Sequence, residues 1–241
     1  MKYVMDINTP SYVCDVHDRL HTWASVRLCQ EVTELHGNAT GIGFNELIKQ
    51  NRAWVLTRAF YNVLKRPSAF DDIELSTWSR GNDGLFAFRD YRMKNAEDEV
   101  IMNGTTYWVL MDFMSRRVTR LNSALNNYPF DADVATELIS LDKLPDFKYS
   151  EQDLTMTIPV NYSMLDHTNH VNNSEYIKWI FDALHQLEFD QDKPFSINLN
   201  YQHETKYGDA IKIYAIHTDD SYHLKLVNSV GTSVAAEIKY L

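Results

Sequence analysis

Residues 165–187 read LDHTNHVNNSEYIKWIFDALHQL, a polar tract that runs directly into an amphipathic segment. The second part has the spacing of a helix that buries one face, because its apolar residues recur every three or four positions. Asn172 is a typical N-cap, and Glu175 three residues later fits a capping box. We therefore predict a helix over residues 172–189 with a buried stripe formed by Ile177, Ile180, Phe181, Leu184 and Leu187.

Alternating apolar and polar residues follow this helix, as in half-buried strands. The first half of the chain shows the same order of elements, with a helical pattern that ends at the stop signal Gly37-Asn38. The apolar face of that first helix comprises Ala24, Leu28, Val32 and Leu35. The first strand after it alternates at Val55, Thr57, Ala59, Tyr61 and Val63. One helix followed by an antiparallel meander, present twice, is an α+β plan.

The order of elements predicts three parts of the chain. Residues 1–125 form the first helix-and-sheet unit, and residues 154–241 form the second. Residues 126–153 are polar and acidic and contain two prolines, so we expect a crossover between the units.

Composition narrows the class of protein. The net charge of −10 argues against nucleic acid as a partner. No apolar run approaches the roughly 18 residues of a membrane span, and the N-terminal residues lack the pattern of a signal peptide. Cys14 and Cys29 are too few for a disulfide framework. We expect a reduced, cytoplasmic protein.

The polar tract allows a helix cap, a metal site or an active site. Asp166, His167 and His170 lie close together, but His-x-x-His without further ligands at fixed spacing is weak evidence for a metal, and none is expected. A helix start also presents backbone N–H groups that can hold an oxyanion. A second candidate is Glu204, which strict alternation would turn to solvent unless the strand ends near residue 203.

Two motifs resemble those of a known family. The tract HVNNSEYIKWI after an aspartate, followed about 30 residues later by NYQHETKYGD, resembles the acyl-ACP thioesterases of bacteria and plant plastids. AWVLTRAFYNVLKRPSAFDDIELSTW and the YWVLMD…SRR segment are similar to that family's N-terminal unit, so the resemblance spans nearly the whole chain. It implies a tandem (double) hotdog fold, in which each half is a curved antiparallel sheet wrapped around a central helix.

The resemblance implies hydrolysis of a fatty acyl thioester on acyl carrier protein, which releases the free fatty acid and ends chain elongation. Asp166, His170 and Glu204 match the family's acidic and histidine positions. The family's asparagine position holds Thr168 here, with Asn169 one place later, so either could fill that role.

In the mechanism so implied, Glu204 is the general base and His170 polarises water or substrate. Backbone N–H groups at Val171 and Asn172 stabilise the oxyanion. Direct attack by Asp166 through an anhydride is the rival path. Plant members often place a cysteine directly after the glutamate, but Thr205 stands here, so a cysteine nucleophile is not supported.

The resemblance also implies a place for the acyl chain and a docking surface for the carrier. The acyl pocket is expected in the N-terminal unit, with Trp54, Phe60 and Tyr107 as lining candidates. All arginines lie between Arg19 and Arg120, and acyl carrier protein is acidic with a phosphate on its prosthetic arm. The predicted docking residues are Arg116, Arg117, Arg120, Lys65 and Arg66.

No cofactor is implied, and a monomer or a homodimer is expected. Three alternative functions remain at this point. They are hydrolysis of acyl-CoA, hydration or dehydration of an enoyl thioester by a hotdog enzyme, and non-catalytic binding of an acyl carrier.

Overall fold

The computed structural model describes residues 1–121, 130–137, 142–218 and 220–241. It divides into two units, Met1–Leu141 and Asp142–Leu241. Of the predicted crossover, residues 126–129 and 138–141 lie outside the described residues.

The first unit is an antiparallel sheet with a long helix, α1, at Thr22–Thr40 and a short helix, α2, at Phe44–Lys49. Its strands are β1 (Tyr3–Asn8), β2 (Arg52–Val63), β3 (Asp72–Asn82), β4 (Phe86–Asn95), β5 (Val100–Asp112) and β6 (Val118–Thr119). They pair in the order β1-β3-β4-β5-β2, and β6 pairs with β5.

The second unit repeats this plan with one helix, α3, at Asn173–Gln186. Its strands are β7 (Leu154–Pro159), β8 (Phe195–Tyr201), β9 (Ala210–His217), β10 (Tyr222–Val227) and β11 (Thr232–Tyr240). They pair in the order β8-β11-β10-β9-β7, again antiparallel. The predicted α+β plan, a long helix and an antiparallel sheet in each half, is confirmed, and the first half also contains the short helix α2.

Helix α3 begins as predicted. The side chain of Asn172 caps it by accepting from Ser174 N at 2.9 Å and from Ser174 Oγ at 2.7 Å. The predicted stripe is buried except at Leu187, which is the C-cap and is half-buried. This cap fixes where the polar tract ends and the helix starts.

Helix α1 differs from its prediction in phase and in length. Leu28 and Leu35 are only half-buried, whereas Cys29 and His36 are buried, so the buried face is rotated by about one residue. Gly37 does not stop the helix, which continues to Thr40 and ends at Gly41 with φ +76°. Gly37 instead allows the backbone of Gly43 to pack closely against the helix, because a Cβ added at residue 37 would lie 3.2 Å from the Cα of Gly43.

Strand β2 carries a β-bulge that divides its predicted alternation. The register with β5 shifts between Leu56 and Arg58. Beyond the bulge Tyr61 lies over Gly104, where an added Cβ would be 2.3 Å from the Tyr61 ring. Val55 and Thr57 therefore do not share the face of Ala59 and Tyr61. The inner face of this sheet, the face that meets α1, is marked by Tyr91, whose hydroxyl is 2.8 Å from Thr33 Oγ1 on the helix.

The described parts of the predicted crossover pack on the sheets. In the first unit Trp78 Nε1 donates to Asp133 O at 2.7 Å. In the second unit Lys225, which is 6% exposed, is paired with Asp146 and donates to Phe147 O at 2.7 Å. The crossover thus covers part of each sheet as well as connecting the units.

Candidate active site

The polar tract forms a tight reversal, here called the site loop, comprising residues 165–172. Asp166 N donates to His170 O at 2.9 Å, and Asn169 N donates to Asp166 O at 3.0 Å. Asn169 has φ +63°, a left-handed conformation that asparagine tolerates better than most residues. Asn169 is exposed, so its main observed role is to reverse the chain. This reversal brings the side chains of Asp166, Thr168 and His170 together.

Thr168 connects the acid to the histidine. Its hydroxyl is 2.6 Å from Asp166 Oδ1, and its backbone N–H donates to the same oxygen at 2.8 Å. The hydroxyl is also 3.2 Å from His170 Nδ1. Because its single proton points to the carboxylate, the hydroxyl accepts from Nδ1–H. Thr168 therefore holds the imidazole ring in a defined tautomer.

Glu204 completes the arrangement on the other side of the ring. His170 Nε2 lies 3.1 Å from Glu204 Oε2, with the two side chains 21% and 35% exposed. The imidazole and the carboxylate are thus within hydrogen-bond distance of each other at a place that solvent can reach, which is the geometry that general acid–base chemistry requires.

The direction of Glu204 follows from the end of its strand. Strand β8 ends at Tyr201, before the glutamate, so alternation no longer decides which way it points. The next residue, Thr205, is 0% exposed, and its carbonyl accepts from Val171 N at 2.9 Å. Its hydroxyl lies 3.0 Å from Ser233 Oγ, and the Asn228 amide donates to it at 3.3 Å. Thr205 therefore anchors Glu204 beside the site loop and is not placed as a nucleophile.

The predicted oxyanion donors are wrong in detail. Val171 N donates to Thr205 O, and Asn172 N donates to Met164 O at 3.0 Å, so both N–H groups are engaged. Ser174 N is used by the cap. Among the residues that the structure describes, Asn173 N has no such partner at the start of α3. At the helix start, the N–H groups of Val171 and Asn172 are therefore not available to an oxyanion, whereas that of Asn173 is.

The first unit contains a copy of this architecture, here called the paired loop, comprising residues 14–21. Asp15 stands in the place of Asp166, and Arg19 stands in the place of His170. Arg66 stands in the place of Glu204, beside the paired loop, and its side chain pairs with Asp15 at 2.5 Å. Four matching bonds are Asp15 N→Arg19 O, Asp18 N→Asp15 O, His21 N→Val13 O and Leu20 N→Pro67 O, at 2.8, 3.0, 3.0 and 2.8 Å.

The paired loop corrects one predicted docking residue. Arg66 is 6% exposed and its guanidinium is held by Asp15. It is therefore unsuited to a surface that meets a carrier, and the prediction for this residue is wrong. Arg116, Arg117, Arg120 and Lys65 are exposed.

The three predicted pocket residues do not share a face of the sheet. Trp54 pairs with Leu110 on the inner face, and its Nε1 donates to Ile42 O at 3.2 Å. Phe60 points to the opposite face because the bulge in β2 shifts the alternation, and Tyr107 on β5 pairs with Arg58 on that same face. They therefore cannot line one recess between α1 and the sheet together with Trp54.

Sequence reasoning missed the connecting role of Thr168 and the anchors of Thr205. Asn228 and Ser233 carry no local signal, because they lie more than 20 residues from Thr205 and meet it only through strand pairing. A signal for the paired loop was present: in both loops an acid is followed four residues later by a basic residue or histidine, just before a helix.

Among the residues that the structure describes, no group of three or more histidine, cysteine, aspartate or glutamate side chains could hold a metal ion. Over the same residues, no helix is long and apolar enough to cross a membrane.

Two family models match the chain. The model described as the acyl-ACP thioesterase N-terminal domain matches residues 1–127, and that of the acyl-ACP thioesterase C-terminal domain matches residues 147–240. Oleoyl-acyl carrier protein thioesterase 2, chloroplastic, of Arabidopsis thaliana is 26% identical over 226 residues, which are 87% of this chain and 62% of that protein. Dodecanoyl-[acyl-carrier-protein] hydrolase, chloroplastic, of Umbellularia californica is 27% identical over 188 residues, 73% of this chain and 49% of that one. The chain thus spans between about half and three fifths of these relatives.

Solved structures show the same fold. The 12:0-ACP thioesterase from Umbellularia californica superposes with a TM-score of 0.86 at 19% identity, covering 100% of this chain and 97% of that one. An acyl-ACP thioesterase from Bacteroides thetaiotaomicron gives 0.82 at 17% identity, covering 100% and 98%. This likeness confirms the predicted tandem hotdog fold.

Proposed function

Because the chain belongs to the acyl-ACP thioesterase family, we propose that it hydrolyses the thioester of a fatty acyl chain on acyl carrier protein and releases the free fatty acid. The observation that carries this is the 3.1 Å contact between His170 and Glu204 at the mouth of α3. A carboxylate and an imidazole within hydrogen-bond distance of each other and in reach of water can act as the general base and its partner in thioester hydrolysis.

The reaction runs through water that Glu204 activates. As the water oxygen bonds to the thioester carbonyl carbon, one water proton passes to Glu204. The N–H of Asn173 stabilises the oxyanion. The carbon–sulfur bond then breaks, and the proton passes through the Glu204–His170 pair to the leaving sulfur. Asp166 and Thr168 orient His170 throughout.

General-base catalysis is favoured over attack by Asp166. One oxygen of that carboxylate accepts two hydrogen bonds from Thr168, which stabilise the charge and weaken it as a nucleophile. A single turnover in ¹⁸O-labelled water, followed by mass spectrometry of the peptide that carries Asp166, tests the second path. Label in the peptide establishes the anhydride, and label confined to the fatty acid excludes an anhydride that water opens at the Asp166 carbonyl.

The carrier would dock on the basic residues that remain exposed. Arg116 and Arg117 lie in the turn between β5 and β6, where Asp112 N donates to Arg117 O at 2.8 Å. With Arg120 and Lys65 they give a protein of net charge −10 local positive surface for an acidic partner.

Two free cysteines, Cys14 and Cys29, agree with a reducing compartment, and we place the enzyme in the cytoplasm, as a monomer or a homodimer.

Release of free carrier thiol, detected with a thiol-trapping dye, tests the function. Carriers loaded with saturated chains of graded length should yield thiol, and Glu204→Gln should slow its release by about 10²–10⁴-fold. An enoyl-thioester hydratase or a non-catalytic binder would yield none, and either result would refute hydrolysis. Acyl-CoA of the same chain length shows which thioester is preferred.

Charge reversal of Arg116 and Arg117 tests the docking surface. It should raise KM for acyl carriers well above its effect on acyl-CoA, because only the carrier brings a large acidic surface. Reversal of the exposed Lys143 and Lys148 changes the net charge equally and serves as the control. Equal effects on both substrates would show that these arginines do not meet the carrier.

A further inference from the structure

A buried polar cluster lies between α1 and the inner face of the sheet in the first unit, outside the candidate site. Its centre is His36 on the helix, which is 0% exposed, and Arg89 on β4, which is 8% exposed. Arg89 Nη1 lies 2.9 Å from His36 Nδ1 and 3.2 Å from Thr77 Oγ1. Polar groups buried to this degree destabilise a fold unless their hydrogen bonds are satisfied.

The contact with Arg89 decides which nitrogen of His36 carries the proton. A guanidinium can only donate, so Nδ1 accepts and the proton resides on Nε2. Burial, and then the Arg89 charge, lowers the pKa of His36 to about 4, in keeping with a neutral ring. Nε2 has no hydrogen-bond partner among the described residues. His36 therefore holds a buried N–H donor directed at no protein acceptor that the structure describes.

The inner face of the sheet is buried unevenly along its length. Ala87 and Trp108 pair across β4 and β5 on that face and remain half-buried, as does Trp54 on β2. Further along the same face Arg89 and Tyr91 are buried. An apolar chain that lies along the face would therefore meet small and aromatic side chains first and polar groups at the buried end.

We propose that His36, held by Arg89, is a specificity-determining residue that recognises an oxygen atom on the acyl chain. The preferred substrates would then be acyl thioesters that carry a hydroxyl or oxo group along the chain. The proposal rests on the proposed function, because it concerns the acyl group of the thioester that the site hydrolyses. An oxygenated chain supplies the acceptor for Nε2–H, whereas a plain hydrocarbon leaves that donor unsatisfied.

The test compares kcat/KM for carriers loaded with saturated chains and with chains of equal length that bear a hydroxyl or an oxo group at successive positions. The unaltered protein should favour the oxygenated chain at one position by about tenfold, the effect of one buried hydrogen bond. His36→Leu should abolish this preference. His36→Gln should retain it, since the amide can accept from Arg89 and still donate. His185→Leu, at an exposed histidine, is the matched control.

The outcomes separate the two proposals. No preference at any position in the unaltered protein, or a preference that survives His36→Leu, would overturn the role of His36; release of saturated chains would still support hydrolysis. If His36→Leu does not fold, calorimetric binding of hydroxylated and plain fatty acids to the unaltered protein decides the matter. Equal affinities would mean that Nε2 of His36 contacts only water, and they would overturn the proposal.

Discussion

Replacing Thr168 with valine keeps the shape of the side chain and removes its hydroxyl. The variant loses the bond to Asp166 at 2.6 Å and the one from His170 Nδ1 at 3.2 Å. A hydrogen bond to a charged group contributes about 1.5–3 kcal/mol, and a neutral one about 0.5–1.5 kcal/mol. Thr168 is only half-buried, so in the variant water replaces part of the lost hydrogen bonding. We take about 1.5–3 kcal/mol as the loss in orienting the ring, which lowers kcat roughly ten- to hundredfold.

Single-turnover and steady-state release from an acyl carrier measure this change. KM should stay within about threefold, because Thr168 acts on the imidazole and makes no predicted contact with the acyl chain. Thr168→Ser keeps the hydroxyl and should retain most of the activity. In the paired loop His17 occupies the corresponding position, and His17→Val should leave kcat unchanged.

The same experiment decides between Thr168 and Asn169. Asn169→Gly keeps a residue suited to φ +63°, and Asn169→Ala costs about 1–2 kcal/mol of stability with little change in kcat. Wild-type kcat in Thr168→Val would refute this role of the hydroxyl, and so would a folded Asn169→Ala variant that loses as much activity as Thr168→Val.

Glu204→Gln should lower kcat by about 10²–10⁴-fold, the range for loss of a general base. Arg66→Gln, at the matching position of the first unit, should leave the chemical step unchanged. Equal losses in the two variants would contradict a catalytic role for Glu204 alone. Burial raises the pKa of Asp15, but hydrogen bonds from Arg66 and from nearby backbone N–H groups outweigh it, so the pKa is lowered. The ionised carboxylate therefore stabilises the folded protein fully above the pKa of the unfolded state. This stabilisation is lost as the pH falls through the pKa of the folded state. Urea unfolding of Arg66→Met should therefore show lower stability at pH 7 and a weaker loss on acidification, and an unchanged pH profile would refute the pairing. Gly104→Ala should destabilise the first unit by about 1–3 kcal/mol, because the new Cβ would overlap the Tyr61 ring; thermal unfolding without a shift would show that the ring is free to move.

Local patterns predict the elements of this fold well but not their exact rotation. The stripe on α3 follows from spacing because one face of that helix is uniformly apolar. On α1 the buried face carries Cys29 and His36, and a histidine enters a core only when a partner such as Arg89 is present. That partner lies more than 50 residues away, so hydrophobic periodicity favours Leu28 and Leu35 instead.

The site shows the same division between local and distant information. The order of Asp166, Thr168 and His170 within one turn is visible in the sequence, and so is the cap at Asn172. The direction of Glu204 depends on where β8 ends and on how Thr205 is anchored, which pairing between distant segments decides. The bulge in β2 likewise separates Phe60 from the inner face through one extra residue that no pattern marks.

The paired loop has a consequence for how such a protein can change over time. In an oligomer of identical single units, every substitution alters all copies of a site at once, so no copy can give up its chemistry while another keeps it. Here the two copies lie in one chain and mutate independently. Asp15 and Arg66 could thus become a plain structural ion pair while Asp166 and Glu204 kept their places. The chain also carries its own internal reference, in which each catalytic substitution has a counterpart on the same backbone framework without the chemistry.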